Sequence, residues 1–306
     1  MKVLITGGAG FIGTNLTLGL LSSGHEVKIL DDLSTGLKQN ISKDAEFING
    51  SILETRHIGT AIENCEVVVH LGARGSVPRS IKDPIATHNV NSTGTLNVLE
   101  AARTSRSHYI FSSSSSVYGS NMILPKNEGM VLRPITPYAA SKMSGEGLSL
   151  AYAKTYGLPV STFRFFNIFG PWQRPDHEYA AVLPKWISNC MKGEEIEIFG
   201  DGEQTRDFTY VGTVVNIIID CISNKILHPE PVNLAYGNNI SLNQVTKLLK
   251  NSFPDLKVKY LPQRNGDVLH SKNDPKLVRS LYPNVNVEKF ESSLQETINW
   301  FKKSKI

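Results

Sequence analysis

Tyr138 and Lys142, in "PYAASK", stand four residues apart and could together move a proton. Pro137 marks a helix start, and on a helix that spacing puts both side chains on one face, one turn apart. A free tyrosine titrates near ~10 and is a poor base at neutral pH. A neighbouring ammonium stabilises the phenolate, so the spacing predicts a lowered Tyr138 pKa and a side chain that takes and returns a hydroxyl proton. A second group of residues suits a phosphate. "VLITGGAGFIG" sets Gly7, Gly8, Gly10 and Gly13 between an apolar run and a helical pattern. Backbone without side chains turns tightly there, and the first N–H groups of the helix attract an anion. Asp31, 18 residues beyond Gly13, ends the next apolar run. A carboxylate so placed accepts from a ribose 2′-hydroxyl and repels a 2′-phosphate, which predicts NAD rather than NADP. A third stretch, "IFSSSSSVYGS" (110–120), has the composition of a linker but the apolar flanks of a strand end.

These groups need a scaffold that alternates strands and helices, and the chain has that pattern. Apolar runs at 3–5, 27–30, 46–48, 67–69, 108–111 and 160–165 read as strands. Helical spacing follows at Ile12, Leu16 and Leu20, closed by Gly24, and again over 84–103 and 138–156. Strand and helix repeated in this way predict an α/β fold, a Rossmann-type doubly wound parallel sheet. The serine run then falls at the carboxyl end of a parallel strand, where such sheets bind ligands. Beyond residue 166, Pro and Gly become frequent and helices such as 241–251 stand between loops. The expected division is a cofactor domain over 1–166 and a smaller α/β substrate-binding region over 167–306, with some segments returning to the first.

Composition excludes other classes. With 306 residues, 40% hydrophobic and 20% charged, the chain is an ordinary folded protein, and its +4 charge is scattered. No basic cluster marks a nucleic-acid surface. No apolar stretch approaches the ~20 residues that span a bilayer, and the N-terminus opens directly into a strand. Cys65, Cys190 and Cys221 are odd in number and lack metal-ligand spacing, so each is read as a small buried apolar residue. No metal and no membrane are expected, and a reducing cytoplasm is the simplest compartment.

The glycine turn, the serine run and the Tyr138–Lys142 pair resemble the extended short-chain dehydrogenase/reductase superfamily. The likeness covers nearly the whole chain and is closest to the NAD-dependent nucleotide-sugar epimerases, especially the UDP-N-acetylglucosamine 4-epimerases. It extends through "GSVPRSIKDP" (75–84), "RFFNIFGPWQ" (164–173), "YAAVLPKW" (179–186) and "GDGEQTRDF" (200–208). By position the resemblance implies NAD contacts from Gly7, Gly10, Phe11, Ile12, Gly13, Asp31, Asp32, Ser51, Ile52, Leu71, Ala73, Asn89, Tyr138, Lys142 and Phe165. It implies contacts to a UDP-sugar from Gly75, Ser76, Ser115, Asn167, Gln173, Arg174, Ala181, Val182, Arg206, Arg264, Asp267 and Ser271. Ser114 and Ser115 would hold the sugar beside Tyr138, while Ser112 and Ser113 only carry the strand out. Arg206 would pair with the diphosphate. The implied reaction removes the C4 proton and hydride, turns the tethered 4-keto sugar over, and returns hydride to its other face. Relatives also imply a homodimer formed through helices 84–103 and 138–156.

Neighbouring chemistries differ in one place. Dehydratases and decarboxylases of this superfamily place carboxylates after the active serine; here Ser115 and Ser116 stand there. Epimerisation needs neither acid. In these epimerases one residue, four positions after the Asp of a Gly-Asp pair, gates the N-acetyl group. "GDVLHS" (266–271) puts the small Ser271 there, which implies UDP-GlcNAc and UDP-GalNAc as substrates, with UDP-glucose and UDP-galactose also accommodated. "PWQRPD" (171–176) resembles the UDP-glucuronate 4-epimerases, whose arginine at the position of Arg174 meets a sugar carboxylate, so UDP-glucuronate stands as the alternative. A non-catalytic NAD-binding sensor is the alternative of another class, against which Tyr138, Lys142 and Ser114 weigh. Two departures from the family pattern are Ser51, where an acid near the adenine is usual, and Gly212, where an Asp usually opens a helix.

Overall fold

Alternation of side chains along each strand sends one set of apolar residues to each face of a central sheet. In the computed structural model, which describes residues 1–176, 180–263 and 269–304, this is visible in neighbouring residues. Val3 and Ile5 join one core, and Leu4 between them joins the other. The strands that form the sheet's first six members are β1 (Lys2–Thr6), β2 (Glu26–Asp31), β3 (Glu46–Asn49), β4 (Val67–His70), β5 (His108–Ser114) and β6 (Val160–Phe165). After them come β7 (Ile168–Phe169), β8 (Ile196–Phe199), β9 (Thr205–Arg206), β10 (Thr209–Tyr210), β11 (Val232–Leu234), β12 (Ile240–Ser241) and β13 (Val258–Leu261). The sheet has seven strands in the order β11-β6-β5-β4-β1-β2-β3, every neighbouring pair parallel. Order reverses between β1 and β4, and that switch point opens a crevice at the strands' carboxyl ends.

Helices cover both faces. On one side lie α1 (Phe11–Ser22) and α8 (Val211–Ser223), whose Leu16, Leu20, Val214 and Ile218 are fully buried. Their approach is close: a Cβ on Gly19 would lie 2.5 Å from Val215. On the other side lie α2 (Thr55–Ile62), α5 (Gly94–Ser105) and α6 (Pro137–Tyr156), with Val98, Leu99, Tyr109 and Phe111 in their core. Helix α6 starts where the sequence predicts. Thr136 caps it by accepting from Ala139 N at 3.2 Å, and Gly157 ends it at φ +65°.

The expected helix over 84–103 is present in three pieces. α4 (Pro84–His88) passes into a π turn at Asn89–Thr93 and then into α5. The wider turn carries Asn91 inward, where its Oδ1 accepts from Arg74 N at 2.7 Å and its Nδ2 donates to Ser141 Oγ at 3.0 Å. Beyond residue 166 a separate core gathers Phe169, Trp186, Ile198, Phe208, Leu249 and Phe290 around short strand pairs. Val232–Leu234 nevertheless returns to pair with β6, so the later part of the chain completes the first sheet. Cys65 and Cys221 are buried and Cys190 half-buried, all three as free thiols.

Candidate active site

The glycine turn forms a cradle that side chains would fill. Gly7 sits at φ +73°, and a Cβ on it would come within 2.8 Å of Gly72 backbone; one on Gly13 would collide with Gly7 O and with Gly8 Cα at 2.6 Å. Gly10 precedes α1 without capping it, so the helix N-terminus keeps its N–H groups open to an anion. Asp31 is buried beside this turn, its Oδ2 accepting from Ala9 N at 3.0 Å and its Oδ1 from Leu33 N at 2.8 Å. Burial raises its pKa, and these two N–H bonds pull it down. Each oxygen keeps a lone pair for a ribose hydroxyl. Pyrophosphate cradle and ribose acceptor thus fit a dinucleotide. Asp31→Asn is expected to weaken NAD+ by about tenfold, the scale of one charged hydrogen bond. It should also narrow the preference over NADP+, both read by equilibrium titration; an unchanged preference would remove Asp31 from this role.

The other cofactor-side residues divide. Asp32 closes a local turn on Ser34 N, and Phe11 packs toward the core beyond residue 166. Leu71 and Ala73 lie on the loop after β4, where Leu71 N donates to Thr6 O and Gly72 N to Thr6 Oγ1. Ser51 is engaged in its own turn, accepting from Leu53 N, and donates its N–H to His57 Nδ1. Ile52 is buried against Gly94, and Phe165 packs on the α1–α8 core. Asn89 is exposed. Asn91, two residues on, is the asparagine that the π turn buries.

Tyr138 and Lys142 share a face of α6 as their spacing requires, but their chemistry differs from the expectation. Lys142 Nζ donates to Ser112 O at 2.7 Å and lies 5.2 Å from the Phe111 ring centre. Helix and strand meet so closely that a Cβ on Gly145 would collide with the Phe111 ring. Burial lowers the lysine to about 8, against the pull of Glu146 one turn further along. Burial also raises Tyr138, opposed by a hydrogen bond from the Ser114 hydroxyl. The predicted lowering of Tyr138 by Lys142 is therefore corrected: with the ammonium on a carbonyl, desolvation dominates and Ser114 supplies the opposing bond.

Ser112 and Ser113 do more than extend the strand. Ser112 Oγ donates to His70 O at 2.8 Å, and Ser113 Oγ donates to Glu146 Oε1 at 2.5 Å. Glu146 is held in turn by the Arg164 fork, Nε at 2.9 Å and Nη2 at 2.8 Å, both side chains nearly fully buried. Arg164 Nη1 reaches Tyr118 OH at 2.9 Å. Neither Glu146 nor Arg164 stands out in the sequence, although Glu146 lies four residues beyond Lys142. Ser114 Oγ accepts from Ser116 N and faces Tyr138, while Ser115 opens the short 3-10 turn Ser115–Tyr118.

The substrate-side residues come mostly from the margin of the core beyond residue 166. Arg206 Nη1 donates to Thr205 O at 2.9 Å and Leu269 O at 3.1 Å. Its neighbour Asp207 turns inward, accepting from Asn273 N at 2.8 Å and Gly237 N at 3.0 Å, and burial pushes its carboxyl up to about 7. Asn167, at φ +36°, donates to Asp207 O at 3.2 Å, so the two candidate segments are tied together. Ser271 N donates to Thr205 O at 3.1 Å. A cavity of about 320 Å³ is lined by Phe199, Gly200, Asp201, Glu203, Gln204, Gln263, Leu269 and His270; Arg206 is not in its wall and reaches it through its bond to Leu269 O. Ala181 and Val182 form the uncapped start of α7 (Val182–Lys192). Helix α8 likewise starts without a side-chain cap, in keeping with Gly212. Ser76 caps α3 (Val77–Lys82) by accepting from Arg79 N, and open space surrounds Gly75. Gln173 donates to Ile168 O, and Arg174 is bound to Asp176 and Thr35 O. Arg264 and Asp267 lie outside the described residues. Among the described residues no helix is long and apolar enough to cross a membrane.

Comparison with known proteins agrees with this geometry. The model of the NAD dependent epimerase/dehydratase family matches residues 3–235. The chain is 35% identical to the UDP-glucose 4-epimerase of Mycolicibacterium smegmatis over 90% of each chain. It is 33% identical to the UDP-N-acetyl-alpha-D-glucosaminuronate decarboxylase of Bacillus cytotoxicus over 98% of each. Among solved structures, UDP-N-acetylglucosamine 4-epimerase from Methanobrevibacter ruminantium, in complex with UDP-N-acetylmuramic acid, superposes with a TM-score of 0.93 at 34% identity. That likeness covers 99% of this chain and 98% of the other. With a glycine cradle between β1 and α1, and tyrosine, serine and lysine where β5 meets α6, the chain belongs to the NAD-dependent epimerase/dehydratase family.

Proposed function

We propose that the protein is a UDP-sugar 4-epimerase that interconverts UDP-GlcNAc and UDP-GalNAc, and UDP-glucose and UDP-galactose beside them. The observation that carries this reading is the end of β5, where Ser114 hydrogen-bonds Tyr138 and the next two positions are Ser115 and Ser116. Elimination of water across C5–C6 needs an acid and a base there, and hydroxyls supply neither. Inversion at C4 needs only one group that exchanges a proton. As a phenolate, stabilised by Ser114, Tyr138 accepts the C4 hydroxyl proton; as the neutral phenol so formed, it returns that proton to the C4 carbonyl oxygen. Bound in the glycine cradle, NAD would supply hydride transfer at C4. Lys142 keeps positive charge behind that exchange, and the guanidinium charge of Arg206 suits a diphosphate. Holding the sugar through its remote UDP lets the ring turn without escaping.

Residues 1–166 form the cofactor domain and 167–306 supply most of the sugar-binding region, with Val232–Leu234 returning to the first sheet. A homodimer fits the exposed apolar side chains of Ile85, Leu96 and Met143 on α4, α5 and α6, and a cytoplasmic setting fits free thiols.

A panel of UDP-sugars tests the function. Purified protein should convert UDP-GlcNAc to UDP-GalNAc without added reductant. Carbon dioxide from UDP-glucuronate, or a 4-keto-6-deoxy product, would instead assign a decarboxylase or dehydratase. Ser271→Tyr should depress turnover of N-acetylated sugars by at least about tenfold, the discrimination a filled pocket gives. It should spare UDP-glucose, and an unaltered ratio would remove Ser271 as the gate.

A further inference from the structure

The segment Pro171–Asp176 is fastened on both flanks of the cofactor cradle. On one flank Asn15 of α1 holds it, Nδ2 donating to Pro171 O at 2.9 Å and to its own helix at Phe11 O. On the other, Arg174 Nη1 donates to Thr35 O at 3.1 Å. Thr35 lies in the loop behind Asp31, and that loop is itself closed on the glycine turn. Leu37 N donates to Ala9 O at 3.2 Å, and a Cβ on Gly36 would lie 2.8 Å from the Ala9 Cβ. Between its ends the segment makes further contacts. Trp172 sits at φ +69° with its ring 5.3 Å from that of Trp300, and Gln173 Nε2 donates to Ile168 O. The Arg174 fork is set by Asp176, Nε and Nη2 each 2.8 Å from a carboxylate oxygen. A bidentate pair fixes the plane of the guanidinium, which leaves Nη1 aimed at Thr35.

We infer that Arg174 is a cofactor-retaining residue: Arg174, aligned by Asp176, straps the segment 171–176 to the loop behind Asp31, and release of the dinucleotide requires that strap to open. The pyrophosphate cradle at Gly10–Gly13 belongs to the α1 flank and the ribose acceptor Asp31 to the other. Asp31 already ties these walls through Ala9 N, and the strap adds a second tie from Asn15 through Pro171 and Arg174 to Thr35, so that the walls part only when both are broken. This assigns the arginine of "PWQRPD" to the cofactor rather than to a sugar carboxylate. The inference rests on NAD dependence alone and not on the sugar proposed above, so a negative result in the UDP-sugar panel leaves it standing.

The test loads the full-length protein with NADH and dilutes it into excess NAD+, following the decay of bound-NADH fluorescence. Arg174→Ala should release NADH about tenfold faster or more, since affinity changes at a contact are expressed mainly in the off-rate. Asp176→Ala leaves the arginine but frees its fork, and should also speed release. Arg174→Lys, with one point charge and no fork, should fall between. A cooperative thermal melt of each cofactor-free variant, matched to the parent's, reports that the fold is intact. Release from Arg174→Ala and Asp176→Ala within about twofold of the parent protein would overturn the inference. So would an Arg174→Ala variant with unaltered NADH release that loses affinity for UDP-glucuronate alone.

Discussion

Tyr138→Phe is expected to lower kcat for C4 inversion by about 10²–10⁴-fold, the range that a positioned general acid–base supplies. The ring is kept, so packing on α6 persists and only the hydroxyl bonded to Ser114 is lost. Burial holds the phenol above its ordinary pKa. The parent rate should therefore rise with pH through neutrality as the phenolate fraction grows, and the residual rate of the variant should lack that rise. Retained NAD and UDP binding would locate the defect in proton exchange. A Phe variant of full activity would sink the mechanism.

The second large effect is on stability. Arg164→Met is expected to cost about 3–5 kcal/mol, because it strands the Glu146 carboxylate in the core with only the Ser113 hydroxyl, at 2.5 Å, still donating to it. For a chain of this size that lowers Tm by roughly 6–15 °C in thermal melts. The double variant Arg164→Met with Glu146→Leu should recover most of the loss, since an apolar pair of similar volume avoids the desolvation of two charges. Activity should not recover with it. Glu146 is the charge that raises Lys142 against burial, and without it the ammonium beside Ser112 O is harder to keep. A single variant that costs under about 1 kcal/mol would show that the pair is not the anchor its burial indicates.

The sheet was legible because its strands are buried on both faces and read as short apolar runs. Val67-Val68-Val69 appears as such in the sequence and as a fully buried strand in the fold. The cofactor turn was legible for a related reason, since its glycines stand where the backbone leaves no room for a Cβ. What escaped was the polar interior. Periodicity weighs apolar residues and treats a mid-helix glutamate as solvated, so the Glu146–Arg164 pair left no trace until β6 and α6 were brought together. The π turn escaped because one extra residue in a helix keeps the composition and shifts only the phase. The serine run was half legible. Its place at a strand end followed from its flanks, but the use made of Ser112 and Ser113 depends on residues 30 and more positions away.

The return of Val232–Leu234 to the first sheet bears on how the protein is made. The core that holds Val3, Ile5, Leu16 and Leu20 is finished by Ile218, Leu234 and Tyr282, near the other end of the chain. A ribosome adding roughly 5–20 residues each second needs on the order of ten seconds or more to travel from β4 to Tyr282. The other face is complete once Val160 has been made, whereas the face of Val3, Ile5, Leu16 and Leu20 stays uncovered until the last of these partners emerges.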